Sequence, residues 1–195
     1  MNKKTSFAGS FYPENPEELN NLLDSFKEEQ TFDYKSKAII VPHAGYAYSG
    51  HAMMSAYQHL EANENIFIIA PSHHESFNNI ALPEYSFFET PLGNLEVNNK
   101  LISEIAEKFP SIVADEVFEN EHSIEVQLPF IQNMFLPHKQ SAVDFVKNLK
   151  KIGKKIKIVP VLVGNCDYRL ISDLISAYWE ESSFIISSDL SHYYT

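Results

Sequence analysis

Pro42-His43-Ala44-Gly45-Tyr46, Pro71-Ser72-His73-His74, Gly164-Asn165-Cys166-Asp167 and Ser187-Ser188-Asp189-Leu190-Ser191-His192 are the stretches of this chain that could do chemistry. Four of the eight histidines fall in them. Imidazoles held on rigid supports can converge on one divalent ion, so metal binding is the chemistry the pattern favours. His43 and His73, each placed after an apolar run and a proline, are the candidate ligands. His74 reads as the neighbour rather than the ligand, because adjacent residues on extended chain point in opposite directions. Asp189 and His192 could add a carboxylate ligand, orient a ligating ring, or act as base and acid.

Glu121-His122-Ser123-Ile124-Glu125 puts a further histidine where a helix should start. Ser123 could cap that helix, and its unpaired N–H groups could hold an anion. Tyr46 and Tyr48 could line a pocket wall, although aromatic residues in loops more often pack. Ser191, His192 and Asp189 supply the residue types of a nucleophilic triad. Their spacing argues against one, since triad members come from separate elements, and no Gly-x-Ser-x-Gly elbow occurs. Gly-x-Gly-x-x-Gly and phosphate-loop patterns are missing too, so a nucleotide cofactor has no support.

The elements that must position these residues read as α/β. Lys37 to Val41, Ile66 to Ala70, Ile156 to Val163 and Phe184 to Ser187 read as strands with apolar runs that do not alternate, as in buried parallel strands. Each ends at one of the polar clusters, the place where open parallel sheets bind ligands. Asn15-Pro16-Glu17-Glu18 predicts a capped helix burying Leu19, Leu22, Leu23 and Phe26. After Gly45 and Gly50, a helical face of Met53, Ala56, Tyr57 and Leu60 completes one βαβ unit. Leu170, Ile171, Leu174, Ile175 and Tyr178 give the helix of a second. A hairpin is expected around Pro91-Leu92-Gly93-Asn94, then a helix marked by Leu101, Ile102, Ile105 and Phe109. A helix from Ser123 to about Phe135 should be kinked at Pro129.

With 195 residues, 44% of them apolar, one domain over residues 1–195 is expected. Fifteen basic against 26 acidic residues leave a net charge of −11, which opposes the counterion release behind nucleic-acid binding. The basic run from Lys147 to Lys157 is read as a solvated helix end. No apolar run approaches the roughly 20 residues a membrane helix needs, and Lys3 and Lys4 have no apolar stretch behind them. The single cysteine, Cys166, fits a reducing cytoplasm.

Ala8-Gly9-Ser10-Phe11-Tyr12, Pro42-His43-Ala44-Gly45-Tyr46 with Tyr48-Ser49-Gly50, Pro71-Ser72-His73-His74, Thr90-Pro91-Leu92-Gly93, Glu121-His122-Ser123-Ile124-Glu125 with Leu128-Pro129-Phe130, Pro160-Val161-Leu162-Val163-Gly164 and Ser187-Ser188-Asp189 follow one another in order. This series closely resembles the Memo family, called AmmeMemoRadiSam system protein B in bacteria and archaea. The resemblance implies a mainly parallel central sheet with helices on both faces, like that of the class III, LigB-type non-haem iron dioxygenases. It also implies a metal site at His43 and His73, with Asp189, His192 and His122 at further pocket positions. His192 or His122 would then be the acid/base, and Asp189 the orienter or third ligand. Fe(II) is the implied metal, with copper or zinc as alternatives. The implied activity is oxygen-dependent oxidation of a small aromatic or oxygen-rich substrate, in functional association with other AmmeMemoRadiSam system proteins. Family members are longer by a third or more, with a cysteine as third ligand in that extra part, and no ligand role is carried onto Cys166. The chain is accordingly expected to be truncated, with part of its sheet uncovered and a tendency to dimerise or precipitate. The rival reading is a non-catalytic module binding a peptide or anionic ligand in the same pocket.

Overall fold

The protein is described by a computed structural model over residues 1–28, 34–136 and 156–189. Ser191, His192 and most of the basic run, residues 147–155, lie outside the described residues.

Along the chain, β1 (Asn2–Lys3) precedes α1 (Pro16–Ser25), β2 (Ala38–Val41), α2 (Tyr46–Tyr57), β3 (Asn65–Pro71) and β4 (Ile80–Leu82). The hairpin β5 (Phe87–Thr90) and β6 (Gly93–Glu96) follows, then α3 (Asn99–Lys108) and β7 (Ser111–Val113). The chain continues with α4 (His122–Glu125), α5 (Leu128–Phe135), β8 (Lys157–Val163), α6 (Tyr168–Tyr178) and β9 (Ser182–Ser187). Among the described residues six strands form the main sheet, in the order β2-β9-β3-β8-β4-β7. All neighbours pair parallel except β4 with β8. The fold is thus α/β around a mostly parallel sheet. β4 and β7, three residues each, are too short to announce themselves in the sequence.

Ile66 to Ala70 and Ile158 to Leu162 are buried throughout, and burial on both faces is why these strands read as unbroken apolar runs. The two crossovers explain the covering. β2 to β3 moves two places across the sheet in one direction, and β8 to β9 moves two places back. Right-handed connections therefore put α2 and α6 on opposite faces. On the α6 side Tyr178 stacks on Phe67, ring centroids 5.5 Å apart, and Phe67 stacks on its register partner Phe184 at 5.0 Å. Beyond them the face opens. Ile40 of the edge strand β2 is 61% exposed, its partner Ile186 is half-buried, and Ile171, Ile175 and Cys166 border a groove of about 650 Å³.

Most helix starts follow the local rules. The Asn15 side chain accepts hydrogen bonds from the Glu17 and Glu18 N–H groups, and Pro16 stands in the first turn of α1. Leu19, Leu23 and Phe26 are buried as expected, whereas Leu22 is half-buried. The second helix begins at Tyr46, ahead of the expected start after Gly50. Gly50 lies inside α2 because the Phe26 ring fills the space a Cβ would need. In place of one helix kinked at Pro129 there are two, α4 and α5. A proline cannot continue a helix but suits the first turn of the next.

The amino-terminal segment is pinned to α4 by one buried carboxylate. Glu125 accepts hydrogen bonds from Lys3 Nζ at 3.0 Å, from the Ser6 N–H at 3.0 and 3.1 Å, from the Phe7 N–H at 2.8 Å and from the Tyr12 hydroxyl at 2.7 Å. Burial and the neighbouring carboxylate hold the Tyr12 phenol far above its ordinary pKa, so it stays protonated and donates. Among the described residues no helix is long and apolar enough to cross a membrane.

Candidate metal centre

Strand order brings the site together. β2, β9 and β3 are neighbours, so the loops after Val41, Ser187 and Pro71 share one rim of the sheet. α4 packs against β3 and adds His122 to that rim. The ring centroids of His43 and His73 are 5.0 Å apart, those of His43 and His122 5.4 Å, and those of His73 and His122 4.6 Å. One ring nitrogen from each of the three lies within 4.8 Å of the other two. Bonds of about 2.0–2.1 Å from nitrogen to an ion are within reach of small side-chain rotations from there. Three histidines placed in this way can hold a metal ion.

Hydrogen bonds fix which nitrogen faces the ion. Ser187 Oγ has a single proton and gives it to the Ser123 carbonyl at 2.7 Å. It therefore accepts from His43 Nδ1 at 2.9 Å, which leaves His43 Nε2 with a free lone pair. Gln127 fixes Ser187 in turn. Its amide donates to the Pro42 carbonyl at 3.0 Å and to Ser187 Oγ at 3.1 Å, while its oxygen accepts from the Tyr57 hydroxyl at 3.0 Å. Glu121 does the same for His73: Oε1 accepts from Nδ1 at 2.9 Å and Oε2 from the backbone N–H at 2.6 Å. His122 Nδ1 lies 3.4 Å from the same Oε1. A neutral ring with Nδ1–H bonded and Nε2 open is the form in which histidine ligates metals, so the donor set fits an ion.

Burial lowers the His43 pKa to about 4, the Asp189 carboxylate only partly opposing it. Burial and the nearby His73 also lower that of His122, against the pull of Glu121. Burial would raise the Glu121 pKa, but N–H donors from His73 and Ser123 hold it below the usual carboxylate range. The stability of the metal-free protein should follow from the histidine shifts. Between pH 6.5 and 4 an unfolded histidine binds a proton that folded His43 refuses, so stability rises with pH in that window. Acidification through it should remove up to about 3 kcal/mol on account of His43, with His122 acting in the same direction. Urea unfolding of apoprotein at pH 7 and pH 4.5 measures this; an equal or larger stability at pH 4.5 contradicts it.

Asp189 stands beside the cluster. Its Oδ1 accepts the His43 N–H at 2.8 Å, and Oδ2 lies 3.6 Å from His43 Nε2. His74 is not one of the three, its ring centroid lying 6.4 Å from that of His122. Tyr46 is buried and donates to the Val126 carbonyl, while Tyr48 is fully exposed, so neither lines a pocket wall at the histidines. Phe7 and Phe11 take that place, with ring centroids 5.6 and 5.0 Å from His122. The helix start differs from expectation as well. Glu121, not Ser123, caps α4, and it occupies the Ser123 N–H that the anion-binding reading needed. The buried Ser123 hydroxyl donates to the Pro71 carbonyl instead.

Sequence reading gave no role to Glu121, Ser187 or Gln127. Glu121 carried a signal, standing directly before His122. Nothing in the sequence marks Gln127, whose side-chain hydrogen bonds all reach residues 60 or more positions away.

The fold and site define an α/β protein with a histidine cluster on the carboxyl-end rim of its sheet. Residues 3–195 match the family of Memo-like proteins. The chain is 35% identical over 200 residues to a MEMO1 family protein of Thermoplasma volcanium, covering 99% of this chain and 68% of that protein. It is 34% identical over 200 residues to a MEMO1 family protein of Aquifex aeolicus, covering 98% and 67%. Against Protein MEMO1 of Xenopus laevis it is 32% identical over 203 residues, covering 98% and 63%. The chain belongs to the Memo-like family and spans about two thirds of the length of these relatives.

Proposed function

We propose that this chain holds Fe(II) on His43, His73 and His122 and supports oxygen-dependent oxidation of a small aromatic or oxygen-rich substrate, as non-haem iron dioxygenases do. The observation that carries the reading is the convergence of three imidazoles, with the Nδ1 atoms of His43 and His73 bonded to Ser187 and Glu121 and that of His122 facing Glu121. Iron bound there would supply redox chemistry with O₂. The protein's own groups do the rest. Asp189, fixed through Oδ1 by the His43 N–H, has Oδ2 in place to take a proton from a substrate hydroxyl. His192, outside the described residues, is the acid/base that the family resemblance offers. Phe7 and Phe11 screen His122 from water and offer an aromatic surface to a ring. His122, the other acid/base candidate, is assigned as a ligand because one of its ring nitrogens lies within 4.8 Å of ring nitrogens of His43 and His73.

Anaerobic purification followed by elemental analysis and O₂ uptake with a catechol-type substrate is the test. About one iron per chain and substrate-dependent O₂ consumption are expected. Protein that retains no transition metal after anaerobic incubation with Fe(II), or that binds peptide equally well with and without metal, overturns the proposal and favours a binding module.

A further inference from the structure

Glu121 is a buried anion that caps α4 and also stands directly behind two of the three histidines. The residue is 2% exposed. Among the described residues its ion-pair partners are His73 and His122, with no lysine or arginine. The backbone N–H groups of His73 and Ser123 complete its shell, at 2.6 and 2.9 Å. Together with the His73 Nδ1–H they keep the buried carboxylate ionised and fixed in place. Three neutral imidazoles, in turn, give a divalent ion no negative charge of their own, and the Asp189 carboxylate lies on the His43 side, with Oδ2 3.6 Å from His43 Nε2. Glu121 places a fixed anion on the other side of the cluster, one imidazole ring behind the open nitrogen of His73.

We infer that Glu121 is the positioning residue and a counter-charge of the metal centre: one carboxylate turns His73 toward the ion through its Nδ1, lies 3.4 Å from Nδ1 of His122, and adds anionic charge behind these two neutral donors. This rests on the metal-binding reading above and adds to it a residue and a preference for ion charge. Loosened ligands weaken any ion alike. Loss of a nearby charge weakens a divalent ion more than a monovalent one, because the Coulomb term scales with ion charge.

The test compares Co²⁺ and Cu⁺ binding to metal-free protein and to Glu121→Gln, which keeps the side chain's size. The variant should lose about 10- to 100-fold in Co²⁺ affinity and a clearly smaller factor in Cu⁺ affinity. In parallel, ¹⁵N–¹H correlation spectra of the metal-free wild-type protein should show His73 and His122 as Nδ1–H tautomers, a readout that needs no variant to fold. Unchanged Co²⁺ affinity in Glu121→Gln, an equal loss for both ions, or Nε2–H tautomers overturns the inference while the metal site stands. Failure of wild-type protein to bind either ion overturns both.

Discussion

His43→Ala should weaken metal binding on the order of 10²- to 10³-fold, and His73→Ala by a similar factor. Structural sites of a few ligands are worth roughly 10–16 kcal/mol in apparent binding free energy, so one ligand among three or four accounts for about 3–4 kcal/mol of it. The two variants should differ in stability. His43 is 2% exposed and bonded to Ser187, so its loss leaves a cavity and strands an acceptor in a buried network that includes Gln127. His73 is exposed at the rim, with 37% of its side chain accessible, so its removal leaves no buried cavity and the cost to the metal-free protein is confined to the Nδ1–H donor that Glu121 loses. Isothermal titration with Co²⁺, beside urea unfolding of apoprotein, separates the two effects. Either variant binding Co²⁺ as tightly as wild type would remove that histidine from the site.

Glu125→Ala should be the most destabilising single change, at about 3–5 kcal/mol, the usual cost of removing one partner from a buried ion pair. Lys3 Nζ would be left buried with its charge unanswered, and the Ser6 and Phe7 N–H groups and the Tyr12 hydroxyl would lose their acceptor. Against the 5–15 kcal/mol typical of whole proteins, that is a large share. The change also reaches the site, since the segment that Glu125 anchors carries Phe7 and Phe11 against His122. Lys3→Met combined with Glu125→Gln should be less destabilising than Glu125→Ala alone, because no unpaired charge remains. A fall in urea midpoint corresponding to less than about 1 kcal/mol for Glu125→Ala would show that the network contributes little.

How much of this was legible beforehand follows from the range of each interaction. The helix at Pro16 was readable because cap, proline and apolar face lie within twelve residues. The division of α4 from α5 was half readable. Pro129 marks a break, but whether the chain bends or starts a new helix depends on what packs around it. The exposed Ile40 could not be told from its buried neighbours, since only the strand order reveals that β2 lies at the edge.

The sequence by itself determined the α/β alternation, the polar clusters at strand ends and the family, because these depend on local periodicity and contiguous motifs. Only the tertiary structure decided that β9 inserts between β2 and β3, which brings Asp189 and Ser187 beside His43 and His73. It alone decided that Glu121 faces two imidazoles and that Gln127 reaches Pro42 and Ser187. Apart from Glu121 and its neighbour His122, those choices turn on pairings between residues 48 to 146 positions apart, for which a linear pattern carries no signal.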